Sequence, residues 1–127
     1  MPITITLLEP RIILQQWTGI VTMDDVFTSS NAVRVLADEQ RCAEYASILD
    51  GTGLEQFQFD LRGMLRAIEM DNRDVGIYIV HGPSMAQIAA RVMDKLVKKD
   101  IKVCRDLAHA QALARACLEA YPVKPQA

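Results

Sequence analysis

The stretch from Ile48 to Gly63, ILDGTGLEQFQFDLRG, gathers residue types that could do chemistry. Asp50 closes an apolar run, Gly51-Thr52-Gly53 follows it, and Asp60 stands just before a helical pattern. Two carboxylates so placed could share general acid–base work. A threonine between glycines could contact phosphate. A second group, His81-Gly82-Pro83-Ser84, ends another apolar run. His81 could act there as a general base or an anion ligand, because a helix N-terminus favours negative charge.

Each of these has a plainer reading. A phosphate loop needs GxxxxGK[ST], with a lysine that reaches the phosphate. No lysine lies near Gly51-Thr52-Gly53. The plain reading is a turn in which the glycines take positive φ. Asp60 is read as the N-cap of a helix that begins at Leu61. Asp50 is read as a strand-end residue facing water. His81 as an ordinary loop residue is the simpler reading, since no Ser-His or Cys-His spacing supplies a nucleophile. His109 sits between Ala108 and Ala110 and carries no chemical signal. A metal site needs three or four convergent ligands. Two histidines and the scattered Cys42, Cys104 and Cys117 do not supply them. Neither a metal nor a cofactor is expected, and the cysteines are read as reduced thiols of a cytoplasmic protein.

The elements that must position these residues follow from hydrophobic periodicity. Ile3 to Leu8 alternates apolar and polar residues, the mark of a half-buried strand. Glu9-Pro10 turns the chain into a second strand, Arg11 to Thr18, which makes an antiparallel hairpin. Thr22 and Asp25 open a helix whose inner face carries Val26, Ser30, Val33 and Ala37. Tyr45–Asp50 is a third strand, and Leu61, Met64, Leu65 and Ile68 keep helical spacing. Asn72-Arg73-Asp74 is a turn. Val75 to Val80 reads as a buried central strand. Met85 to Leu96 forms an apolar helical stripe, Ile101 to Cys104 a short strand, and Asp106 caps a last helix. The inner face of that helix would hold Leu107, Ala110, Ala114, Cys117 and Leu118.

The order β-β-α-β-α-β-α-β-α implies a five-stranded mixed sheet, with an antiparallel hairpin followed by parallel β-α repeats. Thr4, Thr6, Gln15 or Gln16, and Lys102 keep three strands from being apolar on both sides. Four helices are therefore expected mainly on one face, leaving the other partly wet or covered by a partner. Residues 1–121 form a single α/β domain in this reading, and 122–127 a flexible tail.

Composition narrows the functional classes. In 127 residues the formal charge is −2, which argues against a nucleic-acid binder needing a strong basic excess. No apolar segment reaches the roughly 20 residues of a membrane span. MPITITLLEP has neither the basic region nor the cleavage site of a signal peptide. The basic group Arg91, Lys95, Lys98, Lys99 and Lys102 is read first as a solvated helix face and second as a patch for an acidic partner.

The element order, with Gly19-Ile20-Val21-Thr22 leaving the second strand for the first helix, resembles the STAS family of anti-sigma-factor-antagonist-like domains. It is similar above all to the broader STAS-like proteins that share this fold with CRAL-TRIO lipid-binding domains. The resemblance implies a non-enzymatic regulatory module that works by protein interaction. Phospho-regulated members carry Asp-Ser-x-Gly where the loop after the third strand enters its helix. Asp60-Leu61-Arg62-Gly63 stands at the matching place, with Leu61 where the phosphorylated serine would be. The expectation is a module without that switch. The alternative is a binder of a small anionic or lipid-like ligand.

In open α/β sheets ligands bind at the carboxyl ends of the strands. That edge would collect Asp50–Asp60, His81–Ser84 and Arg105–Asp106. The expected binding residues are Asp50, Thr52, Asp60, His81 and Ser84, facing a protein partner. Ile13 and Trp17 on one side of the hairpin, and Ile12 and Leu14 on the other, suggest a patch that a second copy would cover. A homodimer is expected on that ground.

Overall fold

The computed structural model describes residues 2–58, 60–80 and 99–123. Five strands form one mixed sheet in sequence order: β1 (Ile3–Glu9), β2 (Ile12–Val21), β3 (Tyr45–Phe57), β4 (Asp74–Val80) and β5 (Asp100–Cys104). β1 pairs antiparallel with β2, and every later pairing is parallel. The described helices are α1 (Met23–Glu39), α2 (Leu61–Glu69) and α3 (Leu107–Glu119). The helix expected over Met85 to Leu96 lies outside the described residues.

α1 begins with the capping box that its sequence suggests. Asp25 N–H donates to Thr22 Oγ1 at 3.2 Å, and Thr22 N–H donates to Asp25 Oδ2 at 2.9 Å. Two of the helix's orphan donors are satisfied reciprocally. Asp106 caps α3 in the simpler way, its Oδ1 accepting from His109 N–H at 2.8 Å.

Of the three described helices, two lie on one face of the sheet and one on the other. The strands run in one direction across the sheet, and right-handed crossovers then put the connecting helices on a single face. α1 and α2 obey this, burying Trp17, Leu49, Ile77 and Ile79 beneath them. α3 follows the last strand and carries no crossover. It folds back on the second face, where Ala110, Ala114 and Leu118 pack on Leu14, Ile48, Tyr78 and Val80. The hairpin half of that face is wet, with Thr4, Thr6, Gln16 and Thr18 exposed. Arg115 of α3 pairs with Glu9 at 2.6 Å and ties the helix to the hairpin end.

This arrangement removes the ground for a homodimer. Ile12, Ile13, Leu14 and Trp17 are all buried within the chain. Trp17 meets the ring of Phe57 edge-on, with centroids 5.1 Å apart and planes at 83°.

The Gly51-Thr52-Gly53 turn is a second correction. β3 runs straight through it to Phe57, and neither glycine takes positive φ. The extra residue is absorbed as a bulge, since Gln16 to Thr18 on β2 faces Asp50 to Gly53 on β3. A Cβ at Gly53 would lie 2.9 Å from Thr18 Cγ2, so the exposed Thr18 side chain would have to shift to admit one. Among the described residues the glycine with positive φ is Gly19, at 65°, on the facing strand.

Candidate functional site

The expected edge assembles in part. At the β3 bulge, Asp50 Oδ1 accepts from the backbone N–H of Thr52 at 3.0 Å and also from its hydroxyl. Asp50 is thus a half-buried member of a bulge inside the strand. It is not a strand-end residue pointing at water. Thr52 is exposed, and Asp50 pairs with Val80, the last residue of β4. His81 and Ser84 lie outside the described residues.

Asp60 stands at the N-cap of α2 as expected, with extended φ and ψ, but its side chain makes no capping bond. Leu61 is the first residue of that helix and packs against the core under α1 and α2. A Cβ on Gly63 would lie 2.7 Å from Met23 Cε and 3.1 Å from Asp60 Oδ2, so α2 enters close against the start of α1.

The strongest electrostatics gathers at the opposite edge, where the parallel strands begin. Tyr45 opens β3, Asp74 opens β4 and Asp100 opens β5. Tyr45 Oη donates to Asp71 Oδ2 at 3.0 Å, Ser47 Oγ donates to Asp74 Oδ2 at 2.9 Å, and Tyr78 Oη donates to Asp100 Oδ2 at 2.6 Å. Arg73 closes on Asp71 at 2.8 Å and reaches Asp38 of α1 at 2.7 Å. Lys99 Nζ donates to the carbonyls of Ile68 and Asp71, at 2.7 and 3.0 Å, and so satisfies the C-terminal end of α2.

Four of these groups, Asp74, Lys99, Asp71 and Tyr45, are displaced from their ordinary ionisation. Burial pushes Asp74 up to about 7, against the pull of Lys99 and the Ser47 hydroxyl. Burial also lowers Lys99, with Asp74 and Asp71 opposing. Asp71 is desolvated too, yet the hydrogen bonds from Arg73 and Tyr45 outweigh that and hold it below the usual carboxylate value. Burial and the neighbouring carboxylates raise the Tyr45 hydroxyl.

Sequence reading passes over this cluster because it treats Asn72-Arg73-Asp74 as a turn. The available signal was Asp71-Asn72-Arg73-Asp74, two acids flanking an arginine just before a fully apolar strand. Among the described residues no group of three histidine, cysteine or acidic side chains could hold a metal. No described helix is long and apolar enough to cross a membrane.

No protein-family model matches the sequence, and no curated protein matches it. Solved structures do match its shape. A DUF3478-family protein from Shewanella loihica PV-4, described as having a SpoIIAA-like fold, superposes with a TM-score of 0.64 at 13% identity. The match covers 88% of this chain and 91% of that one. The anti-sigma factor antagonist SpoIIAA in its unphosphorylated form superposes with a TM-score of 0.56 at 10% identity. That match covers 90% of this chain and 96% of that one. The chain has a STAS-like fold. At these identities the likeness concerns the fold alone. The STAS-like α/β architecture read from the element order is the one observed, with the last helix on the second face.

Proposed function

We propose that this chain is a STAS-type regulatory module that acts by binding a protein and makes no use of a phosphoserine at the family position. The observation that carries the reading is the entry of α2. By the family resemblance Asp60, Leu61 and Gly63 are read at the places of the Asp-Ser-x-Gly motif, and Leu61, the first residue of α2, packs against the core. Leucine has no hydroxyl to accept phosphate, so control by phosphate there is chemically closed.

The contact surface in this reading is the edge where Asp50 and Thr52 meet, together with Asp60, His81 and Ser84. Asp50 fixes the exposed Thr52 in one geometry, which suits recognition of a partner loop. The carboxylates there disfavour a free anion, so a protein with mixed polar groups fits better than phosphate. The single domain is taken as residues 1–121. The hydrogen bond from Arg11 Nη2 to the Tyr121 carbonyl, 2.6 Å long, supports an end at that point, with 122–127 as a tail. No catalytic role is assigned.

The test is reconstitution. A partner captured from cells that express the chain is purified and mixed with it at micromolar concentration. Co-elution of the two as one complex is expected. Failure of every captured protein to bind the purified chain would reject the reading.

A further inference from the structure

Among the described residues β1 is an edge of the sheet, with β2 on one side and no strand on the other. Its pairing decides which backbone groups face the open side. Thr18 N–H donates to the Pro2 carbonyl at 2.8 Å, so Pro2, Thr4 and Thr6 turn their backbone groups toward β2. Ile3, Ile5 and Leu7 therefore turn theirs outward, to the free edge. The irregularity between Leu7 and Glu9 lies at the far end of the strand and leaves Ile3 to Leu7 regular.

The two edges of the sheet are built differently. β5 carries Asp100 and the exposed Lys102, and charge on an edge strand discourages pairing with another chain. β1 has neither charge nor proline from Ile3 to Leu8. A regular, uncharged edge of that kind is a template for another strand. Beside it a cavity of about 60 Å³ lies between β1 and α1, lined by Ile3 and Ile5 of the strand and by Thr28, Ser29 and Ala32 of the helix. Among the described residues none of β2 lines it, so it opens toward the free edge. Small side chains on that flank of α1 let a second helix approach to about 8–10 Å.

We propose that β1 pairs with the β1 of a second copy, antiparallel about a two-fold axis at Ile5, so that two five-stranded sheets join into one. In this register Ile5 stands opposite the partner's Ile5, Ile3 opposite the partner's Leu7, and Thr4 opposite the partner's Thr6. The outward backbone groups of Ile3, Ile5 and Leu7 then meet their counterparts, and each such pair exchanges both of its N–H···O bonds. Apolar residues oppose apolar residues on the α1 face, and threonines oppose threonines on the other. Moving the axis breaks this match. Centred on Thr6, it would set Thr4 against the partner's Leu8 and Ile3 against the partner's Glu9. Centred on Thr4, it would set Pro2 against the partner's Thr6.

The occupant is a second copy because the edge is complementary to itself and places no charged side chain between Ile3 and Leu7 of either copy. The two-fold axis closes the assembly, since each copy has one β1 edge and uses it. It also keeps α1 of both copies on one face, with the Thr28–Ala32 flanks toward each other across the junction. The ground for this dimer is the backbone edge of β1. The hairpin side chains Ile12, Ile13, Leu14 and Trp17 stay buried within each chain. β2 separates the junction from the Asp50–Thr52 edge, and the dimer does not depend on that edge.

The experiment is light scattering of the full chain at micromolar concentration, with T4K/T6K and T4E/T6E alongside it. Thr4 and Thr6 are exposed on the face away from α1, so both variants should fold. The native chain is expected at twice 14.2 kDa. T4K/T6K and T4E/T6E are each expected at the single-chain mass, because like charges then stand directly opposite across the junction. An equal mixture of the two variants should return to the two-chain mass, since lysine then faces glutamate. Amide hydrogen exchange on the native chain locates the contact without any substitution. The amides of Ile3, Ile5 and Leu7 should exchange at least tenfold more slowly than on dilution to the single chain. A native chain at the single-chain mass, a folded T4K/T6K that stays paired, a mixture that does not pair, or fast exchange at Ile3, Ile5 and Leu7 in a two-chain species would each overturn the proposal.

Discussion

Ser47 Oγ donates to Asp74 Oδ2 at 2.9 Å across the β3–β4 pair and leaves Oδ1 of the same carboxylate unpaired and buried. The folded chain therefore holds a carboxyl that resists ionisation, with its value raised from 3.8 to about 7. Between those values the folded state binds more protons than the unfolded state. Stability from this group is fully present below 3.8 and is lost as pH rises through about 7.

D74N is expected to remove that loss. Its melting temperature should exceed that of the native chain by a wider margin at pH 8 than at pH 5, by at most a few kcal/mol in stability. Thermal unfolding at the two pH values checks this. An equal margin at both would mean that Asp74 titrates near its ordinary value.

Gly76→Ala is expected to destabilise the chain by about 1–3 kcal/mol. The added Cβ would lie 2.7 Å from Tyr78 Oη and 2.8 Å from Cε2. Tyr78 is fully buried and its hydroxyl is held by Asp100, so the ring has little room to yield. Urea unfolding would show the loss as a lower midpoint at unchanged slope.

Thr22→Ala breaks the capping box of α1 and should cost about 0.5–2 kcal/mol. Thr22→Ser should recover most of it, because the hydroxyl to Asp25 N–H is restored. Denaturant melts of the pair separate the cap from simple loss of bulk.

Much of the fold is legible in the sequence, because periodicity reports burial directly. The Thr22–Asp25 cap, the start of α2 at Leu61 and the apolar β4 all stand where their patterns put them. What sequence misses is set by pairing between distant residues. Glycines at 51 and 53 look like a turn until Thr18 is placed against Gly53. Asp74 looks like a turn residue until the bulge at Val75 rotates it under α1 and α2. The side taken by α3 is equally hidden, because its own stripe of Ala110, Ala114 and Leu118 does not say which face of a sheet it will meet.

In the proposed reading Leu61 stands where the family's phosphorylated serine would be, so stoichiometric phosphate at α2 is not expected. Intact-mass measurement after expression with the cell's own kinases should give the unmodified chain of 14.2 kDa. A phosphate mapped to Thr52 would mean that the switch had moved to the β3 bulge.

The central claim is that the edge carrying Asp50 and Thr52 binds a protein. Calorimetric titration of the purified partner into the native chain and into Asp50→Ala and Thr52→Ala tests it directly. Thr52 is exposed, and its substitution should shift stability by only about 0.5 kcal/mol. The expected result is at least tenfold weaker binding for both variants, with Thr52→Ala melting close to the native chain. Partner affinity equal to that of the native chain in both folded variants would contradict the claim.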